Sequence, residues 1–275
     1  MSKRDYTIED LLSVCIARQV EDGELLAQGL ATPLVAAGYL LAWHTHAPNV
    51  YFASAIGQSV CREGAPLGLE TIEALWLDKA LMNVGFAGAA TEILPRFKPK
   101  EFFRPGQIDK YGNFNNVFIG KNYLRPRLRL PGSGGIPDVT PILDEVYYYV
   151  PRHSRVTFVK QIDFLSGIGR QGDKTIAHYL VSDLGQFDFK FGVMRLTHLH
   201  PGINLQRVKA KTGFEFEIAS DLKETLPPTA EQLDLLYETI DPLGIRKLEF
   251  LGGAARRKEL KIMLQQERSV SYETA

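Results

Sequence analysis

The sequence predicts a single α/β domain over residues 1–275, built on a parallel sheet, with a charged C-terminal tail from about residue 256. Three observations carry that reading. A strand-like run, an apolar helix and a second strand-like run succeed one another between Glu24 and Ala55; this is a βαβ unit, and such units join parallel strands by right-handed crossovers. Aromatic and β-branched runs recur later, most clearly EVYYYV from Glu145 to Val150, as strands prefer. No internal repeat or low-complexity linker divides the chain.

The elements follow in order. Thr7-Ile8-Glu9-Asp10 has capping-box spacing, and Ile8, Leu11, Leu12, Cys15 and Ile16 fall on one helical face. Glu24 to Gln28 is a strand. Leu34 to Ala42, opened by Pro33, is apolar nearly all round and reads as a buried helix. Val50 to Ala55 is the second strand. Gly57 to Gly68 is irregular, and Leu69 to Val84 holds a helix. Val139 to Asp144 starts another. Val156 to Phe164 and Met194 to His200 read as strands, and Tyr179–Leu184 with Phe187–Phe189 as a strand pair turning at Gly185. Asn204 to Lys211 is a helix, Gly213 to Ile218 a strand, and Thr229 to Ile240 a capped helix. The tail, RRKELKIMLQQERSVSYETA, reads as a surface helix with a frayed end.

Composition narrows the class. With 45% hydrophobic and 23% charged residues, a chain of this size buries an ordinary core. The 32 basic and 32 acidic residues cancel. That balance argues against a nucleic-acid binder, which concentrates positive charge, and favours association with a permanent partner. No apolar run approaches the roughly 18 residues a membrane helix needs, and MSKRDYTIED has no apolar core of a signal peptide. Cys15 and Cys61 form no disulfide framework. The expectation is a cytoplasmic protein.

Candidate site residues concentrate between Gly106 and Gly135. Asp109, Gly112, Asn113 and Asn115 form a turn cluster, and Gly132-Ser133-Gly134-Gly135 a glycine loop. Both are backbone devices: Gly accepts positive φ and close ligand approach, and Asn forms turns through its own side chain. Neither contains a nucleophile. The glycine loop is either a joint from strand to helix or a cradle of amides for an anion; Asn113 and Asn115 are either turn formers or ligand contacts. Ser54 is a nucleophile or a small strand-end residue, and it lacks the G-x-S-x-G elbow. Cys61 is a second candidate nucleophile. His44/His46 and His198/His200 have no Cys or carboxylate at ligand spacing, so no metal site is expected. Arg125, Arg127 and Arg129 alternate as if along one strand face.

Several segments together resemble a known family: ARQVEDGE, HAPN, QIDKYGNFNN, GSGG, VPRHSRVTFVKQIDFLSGIG, VSDLGQFDF, LHPG, TGFEFE and IDPLGIR, in that order over about residues 7–246. The pattern resembles the β subunits of family I coenzyme A transferases, the glutaconate type above all. The resemblance implies an α/β fold with an open, mostly parallel sheet and flanking helices. It implies an α-type partner subunit in an αβ or α2β2 heteromer and an acyl-CoA substrate, with no cofactor beyond that coenzyme A. It also implies that Gly132, Ser133, Gly134 and Gly135, with Asn113, Asn115 and Ser54, hold the substrate, and that arginines such as Arg125, Arg127 and Arg129 meet its phosphates or a carboxylate. The transferases use a glutamate, in an E-x-G context after the HAPN strand, as a covalent nucleophile. Here that position is Ala55, and no carboxylate lies between Ala47 and Arg62. Two members of the same architecture that have lost that role resemble this chain, a steroid ring-opening hydrolase over Ile162 to Gly169 and a decarboxylase of an unsaturated dicarboxyl-CoA over Tyr51 to Gly57. Carbon–carbon bond cleavage is therefore expected, with no catalytic residue assigned in this chain. A transferase with a relocated carboxylate and a non-catalytic scaffold subunit remain as alternatives.

Overall fold

The computed structural model describes residues 5–29, 32–54 and 58–273. Ala55 lies outside them. The chain gathers into two compact units, residues 1–86 with 227–275, and residues 87–226. Only Gly85 and the Pro227-Pro228 pair punctuate the crossings, too little to mark a boundary in the sequence.

In the first unit, α1 (Ile8–Ala17) starts at the anticipated capping box: the Thr7 hydroxyl accepts from the Asp10 amide, and the Asp10 carboxylate accepts from the Thr7 amide. Strands β1 (Leu25–Gln28) and β2 (Tyr51–Ser54) pair in parallel, with Gln28 opposite Ser54. Between them runs α2 (Pro33–Thr45), buried from Leu34 through Ala42. This is the βαβ unit. Beyond β2 come β3 (Ser59–Cys61) and β4 (Ala80–Asn83), both antiparallel. The helix expected over 69–84 is confined to α3 (Ile72–Asp78). It shortens because Ala80–Asn83 joins the sheet as an exposed edge strand, and a short apolar run without alternation does not announce itself as one.

The C-terminal helix, Gly253–Glu273, is the surface helix expected, and it is anchored rather than loose. Buried Glu267 accepts hydrogen bonds from the Leu69 and Glu70 amides and the Thr71 hydroxyl at 2.8–2.9 Å. The segment after Thr229 begins as an α-turn, Ala230–Asp234, and widens to a π-helical turn over Leu235–Ile240.

In the second unit, β5 (Lys100–Phe103), β6 (Val146–Val150) and β7 (Ala177–Ser182) are mutually parallel. β8 (Gly185–Asp188) returns antiparallel after a tight turn, β9 (Arg195–Leu199) pairs antiparallel with it, and β10 (Glu217–Glu224) runs parallel to β9 after the helix Leu205–Lys211. The α/β fold with parallel strands and flanking helices is thus as expected. One face of this sheet carries a core of Phe103, Ile108, Phe114, Tyr148, Phe158 and Phe187. Three elements differ from expectation. Val156–Phe164 is not a strand: only Phe158 bridges to Ile108, and the chain otherwise turns. The last strand begins at Glu217, because Gly213 to Phe216 is drawn off against Phe158. The helix expected at 139–144 is a single earlier turn, Ile136–Val139.

Candidate ligand-holding site in the second unit

The turn cluster is a hydrogen-bonded knot. Asp109 is buried, and its carboxylate accepts from the amides of Tyr111 (2.8 Å) and Asn113 (3.0 Å) and from the Asn113 side chain (3.1 Å). Burial pushes its pKa upward against those donors. Gly112, at φ +81°, sits at the apex of the turn, and its carbonyl accepts from the Tyr148 hydroxyl at 2.7 Å. Burial, with the Asp109 charge next, raises the Tyr148 pKa far above its usual value, so it remains a phenol donor.

A second segment locks this knot from behind. The Gly169 amide donates to Asn113 Oδ1 at 3.1 Å. A Cβ on Gly169 would fall 2.4 Å from Gly112 C and from the Tyr111 carbonyl oxygen, so the two glycine turns meet main chain to main chain. Phe114 and Gly167 form a bridge. Asp163 takes part as well: its carboxylate accepts from Gln107 Nε2 (2.9 Å) and the Gly120 amide (3.0 Å). Asn115 is fully buried. It donates to Gln107 Oε1 (2.7 Å) and the Phe118 carbonyl (2.6 Å) and accepts from the Val117 amide (2.9 Å). Its polar atoms are therefore engaged in framing the site. Asn113 is half-buried and likewise bound on both sides.

The glycine loop hangs on this frame through a shared hydroxyl and a main-chain bond. Buried Ser166 Oγ accepts from the Asn116 amide (2.8 Å) and from Ser133 Oγ (3.0 Å), and the Gly132 amide donates to the Asn116 carbonyl (2.8 Å). Gly132 and Gly134 have φ +114° and +53°, and nothing lies within 4 Å of where a Cβ would stand on either. Among the described residues, the amides of Ser133, Gly134 and Gly135 meet no protein acceptor. Free amides on an anchored, uncrowded loop can stabilise an oxygen that acquires negative charge. Ser166, Asp163 and Gln107 are structural keys that sequence reasoning passed over; their signal was only their place in VKQIDFLSGIG and QID.

The other candidates fall elsewhere. Ser54 is buried at the end of β2, in the first unit. Cys61 is buried in β3 beside Ser59, and burial raises its pKa, so it stays a thiol at neutral pH; that removes it as a nucleophile. His200 is buried between the Thr225 hydroxyl and the Ser182 carbonyl, and His46 reaches the Val20 carbonyl. Arg125, Arg127 and Arg129 do not line a strand face: the strand is only Leu128–Arg129, and Pro126 with the Asn122 turn interrupts the run. Arg129 bends back to the Tyr123 carbonyl and ring. Glu101, on β5, is pushed by burial to a pKa of about 7.

The second unit thus carries two interlocked glycine turns and, hung on them, a third with free main-chain amides. Residues 104–211, which contain the entire arrangement, match the coenzyme A transferase family. Over that stretch the chain is similar to members of that family. It is 28% identical over 261 residues to one of the subunits of the 3-oxoadipate CoA-transferase of Pseudomonas knackmussii, covering 84% of this chain and 92% of that one. It is 29% identical over 262 residues to the cholesterol ring-cleaving hydrolase IpdB subunit of Mycobacterium tuberculosis, covering 88% and 98%. The crystal structure of the decarboxylase AibA/AibB is similar with a TM-score of 0.77 at 27% identity, over 88% of this chain and 98% of that one. Among the described residues, no helix is long and apolar enough to cross a membrane.

Proposed function

We propose that the chain is the β-type subunit of a heteromeric enzyme that cleaves a carbon–carbon bond in an acyl-CoA, by hydrolytic ring opening or decarboxylation. An α-type subunit would supply the acid or base, and no cofactor is needed beyond the coenzyme A of the substrate. The observation that carries the reading is the set of free amides at Ser133, Gly134 and Gly135. In either reaction the electron pair released by the broken bond is delocalised onto the thioester oxygen as an enolate. Fixed N–H donors aimed at that oxygen stabilise it, each by about 10²–10³ in rate. Two relatives support the choice of reaction, one by name a ring-cleaving hydrolase and one a decarboxylase. The alanine at position 55 supports it too, because a methyl group cannot attack a thioester.

The test is to assemble the chain with its α-type partner and screen CoA thioesters for ring opening, CO₂ release and CoA exchange. Ring-opened product or CO₂ without exchange is expected. Trapping a covalent thioester on this chain with borohydride or hydroxylamine would instead establish transfer. Full turnover by a Gly134→Val complex would assign the chain a scaffold role.

A further inference from the structure

At the β4 edge of the first unit lies a cavity of about 200 Å³, lined by Gln58, Glu73, Leu77, Asn83 and Gly85. The sheet register leads to it from the end of β2. Ser54, the residue before position 55, pairs with Ser59 on β3, and Ser59 pairs with Asn83 on β4. Whole ligands occupy about 300–1,000 Å³, so this volume suits one end of a molecule. Among the described residues, the side chains of Gln58, Glu73 and Asn83 make no hydrogen bond or ion pair. Gln58 stands at φ +44°, a left-handed conformation that is strained for any residue with a Cβ. Its carbonyl holds the Val84 amide at 2.7 Å, which ties the turn after β2 to the end of β4 beside the cavity.

One wall of the cavity is α3, which supplies Glu73 and Leu77. Its 7 residues are too few for a helix to persist unsupported, and it is held at two points. Trp76 is buried and meets Phe52 edge-on. At the other end, Thr71 makes no cap bond to the helix. Its hydroxyl donates instead to Glu267 of the C-terminal helix, which also collects the Leu69 and Glu70 amides. Arg268, the next residue, clasps both carboxylate oxygens of Glu70, and Met263, one turn earlier, is buried. The relatives named above match over 92–98% of their own length and over only 84–88% of this chain. The segments of resemblance end at IDPLGIR, residue 246. The helix that holds α3 comes after them.

The lining selects by charge. Glu73 repels a second carboxylate, and no cation beside it cancels that repulsion. Gln58 and Asn83 each carry an amide that both donates and accepts, and Leu77 supplies an apolar side. We propose that this cavity receives the far end of the acyl group and favours an end carrying a hydroxyl over one carrying a carboxylate. Glu267 is the positioning residue that sets its α3 wall. The inference rests on the acyl-CoA reading above and narrows it toward ring opening, since a dicarboxyl-CoA ends in the group that Glu73 disfavours.

The test uses the chain assembled with its α-type partner and reads binding by calorimetry, without turnover. The probes are 4-hydroxybutyryl-CoA, pentanoyl-CoA, succinyl-CoA and acetyl-CoA, the last too short to reach the cavity. The hydroxyl probe should bind about 10-fold tighter than succinyl-CoA, the size of one screened like-charge contact, and tighter than pentanoyl-CoA. Glu73→Gln should remove the discrimination against succinyl-CoA. Leu77→Phe, at an exposed position, should weaken every probe except acetyl-CoA. Glu267→Gln, after thermal melting confirms the fold, should speed hydrogen exchange at the Leu69 and Glu70 amides and lessen the discrimination, with the affinity for acetyl-CoA unchanged. Equal affinity for the hydroxyl and carboxylate ends, or discrimination untouched by Glu73→Gln, overturns the pocket. Faster exchange with unchanged discrimination in Glu267→Gln overturns the positioning role and leaves that residue an anchor of the fold. Failure of Leu77→Phe to assemble would make this edge a subunit contact and overturn the pocket as well. If no thioester binds, acetyl-CoA included, the acyl-CoA reading falls and takes this one with it. If all four bind alike, that reading stands and this inference alone falls.

Discussion

Gly169→Ala tests whether the two glycine turns are the frame on which the open loop is held. The added methyl would stand 2.4 Å from Gly112 C and the Tyr111 carbonyl oxygen and 2.6 Å from Gly112 Cα. Carbon atoms at rest are about 3.5–4.0 Å apart, so the overlap exceeds an ångström, and every atom struck is main chain. No side-chain rotation relieves it. Overpacking costs about 1–3 kcal/mol when side chains can yield, and this site belongs at the top of that range. If the backbone parts to make room, the Gly169–Asn113 and Tyr148–Gly112 hydrogen bonds go as well, at about 1 kcal/mol each. The expected loss is about 3–5 kcal/mol, or roughly 6–15 °C in Tm for a unit of this size. Gly134→Ala is the contrast. Nothing lies within 4 Å of its Cβ position, and only its φ of +53° opposes substitution, at about 1–2 kcal/mol. Urea unfolding, followed by circular dichroism with m values compared, reads both. Gly169→Ala should fail in stability, and Gly134→Ala in turnover of the assembled complex. A Gly169→Ala protein within about 0.5 kcal/mol of wild type would refute the frame, as would equal destabilisation by both variants.

Other outcomes follow from the same structure. Asn115→Ala takes the side-chain partner from the buried Phe118 carbonyl and from the Val117 amide and leaves Gln107 Oε1 with the Asp163 amide alone, so a loss of about 2–4 kcal/mol is expected in urea unfolding. Arg246 lies 3.1 Å from both Asp10 and Asp241 in the core of the first unit, charge to charge but without hydrogen-bond alignment; Arg246→Met leaves two buried carboxylates and should cost about 3–5 kcal/mol. His153 is buried neutral between the Ser182 and Thr212 hydroxyls, with its pKa lowered by burial to about 3. A folded pKa below the unfolded one gives stability that is complete above about pH 6.5 and is lost as pH falls toward 3, on the order of 5 kcal/mol in all. Urea midpoints at pH 7, 5 and 4 should fall less steeply for His153→Gln; parallel slopes would rule this histidine out as the source.

The βαβ unit was legible because α2 is apolar all round and β1 and β2 are short runs between turns, which leaves few other arrangements. The exposed edge strand Ala80–Asn83 was not, since a strand without a buried face has no period-2 pattern. Val156–Phe164 misled for the opposite reason. Phe158 is completely buried while Val156 and Phe164 are exposed, and the segment packs as a turn whose amides go to Ser154 and Ile108 rather than to a ladder. In the site, Gly132 to Gly135 stood out because glycine spacing is visible by itself. Ser166 did not, because one hydroxyl that ties two loops together looks like any other serine until the loops are side by side.

That division bears on the proposed chemistry. Every polar side chain that shapes the loop, from Asp109 and Asn113 to Asn115, Asp163 and Ser166, is already committed to another part of the protein. None is spare to act as acid, base or nucleophile. On the proposed reading the loop contributes main-chain amides alone, and amides serve any reaction that places negative charge on a thioester oxygen. A frame of this kind constrains the substrate's oxygen and leaves the bond to be broken undetermined. Whichever groups face such a loop would decide the reaction, and at the position where the resemblance places a glutamate this chain has Ala55.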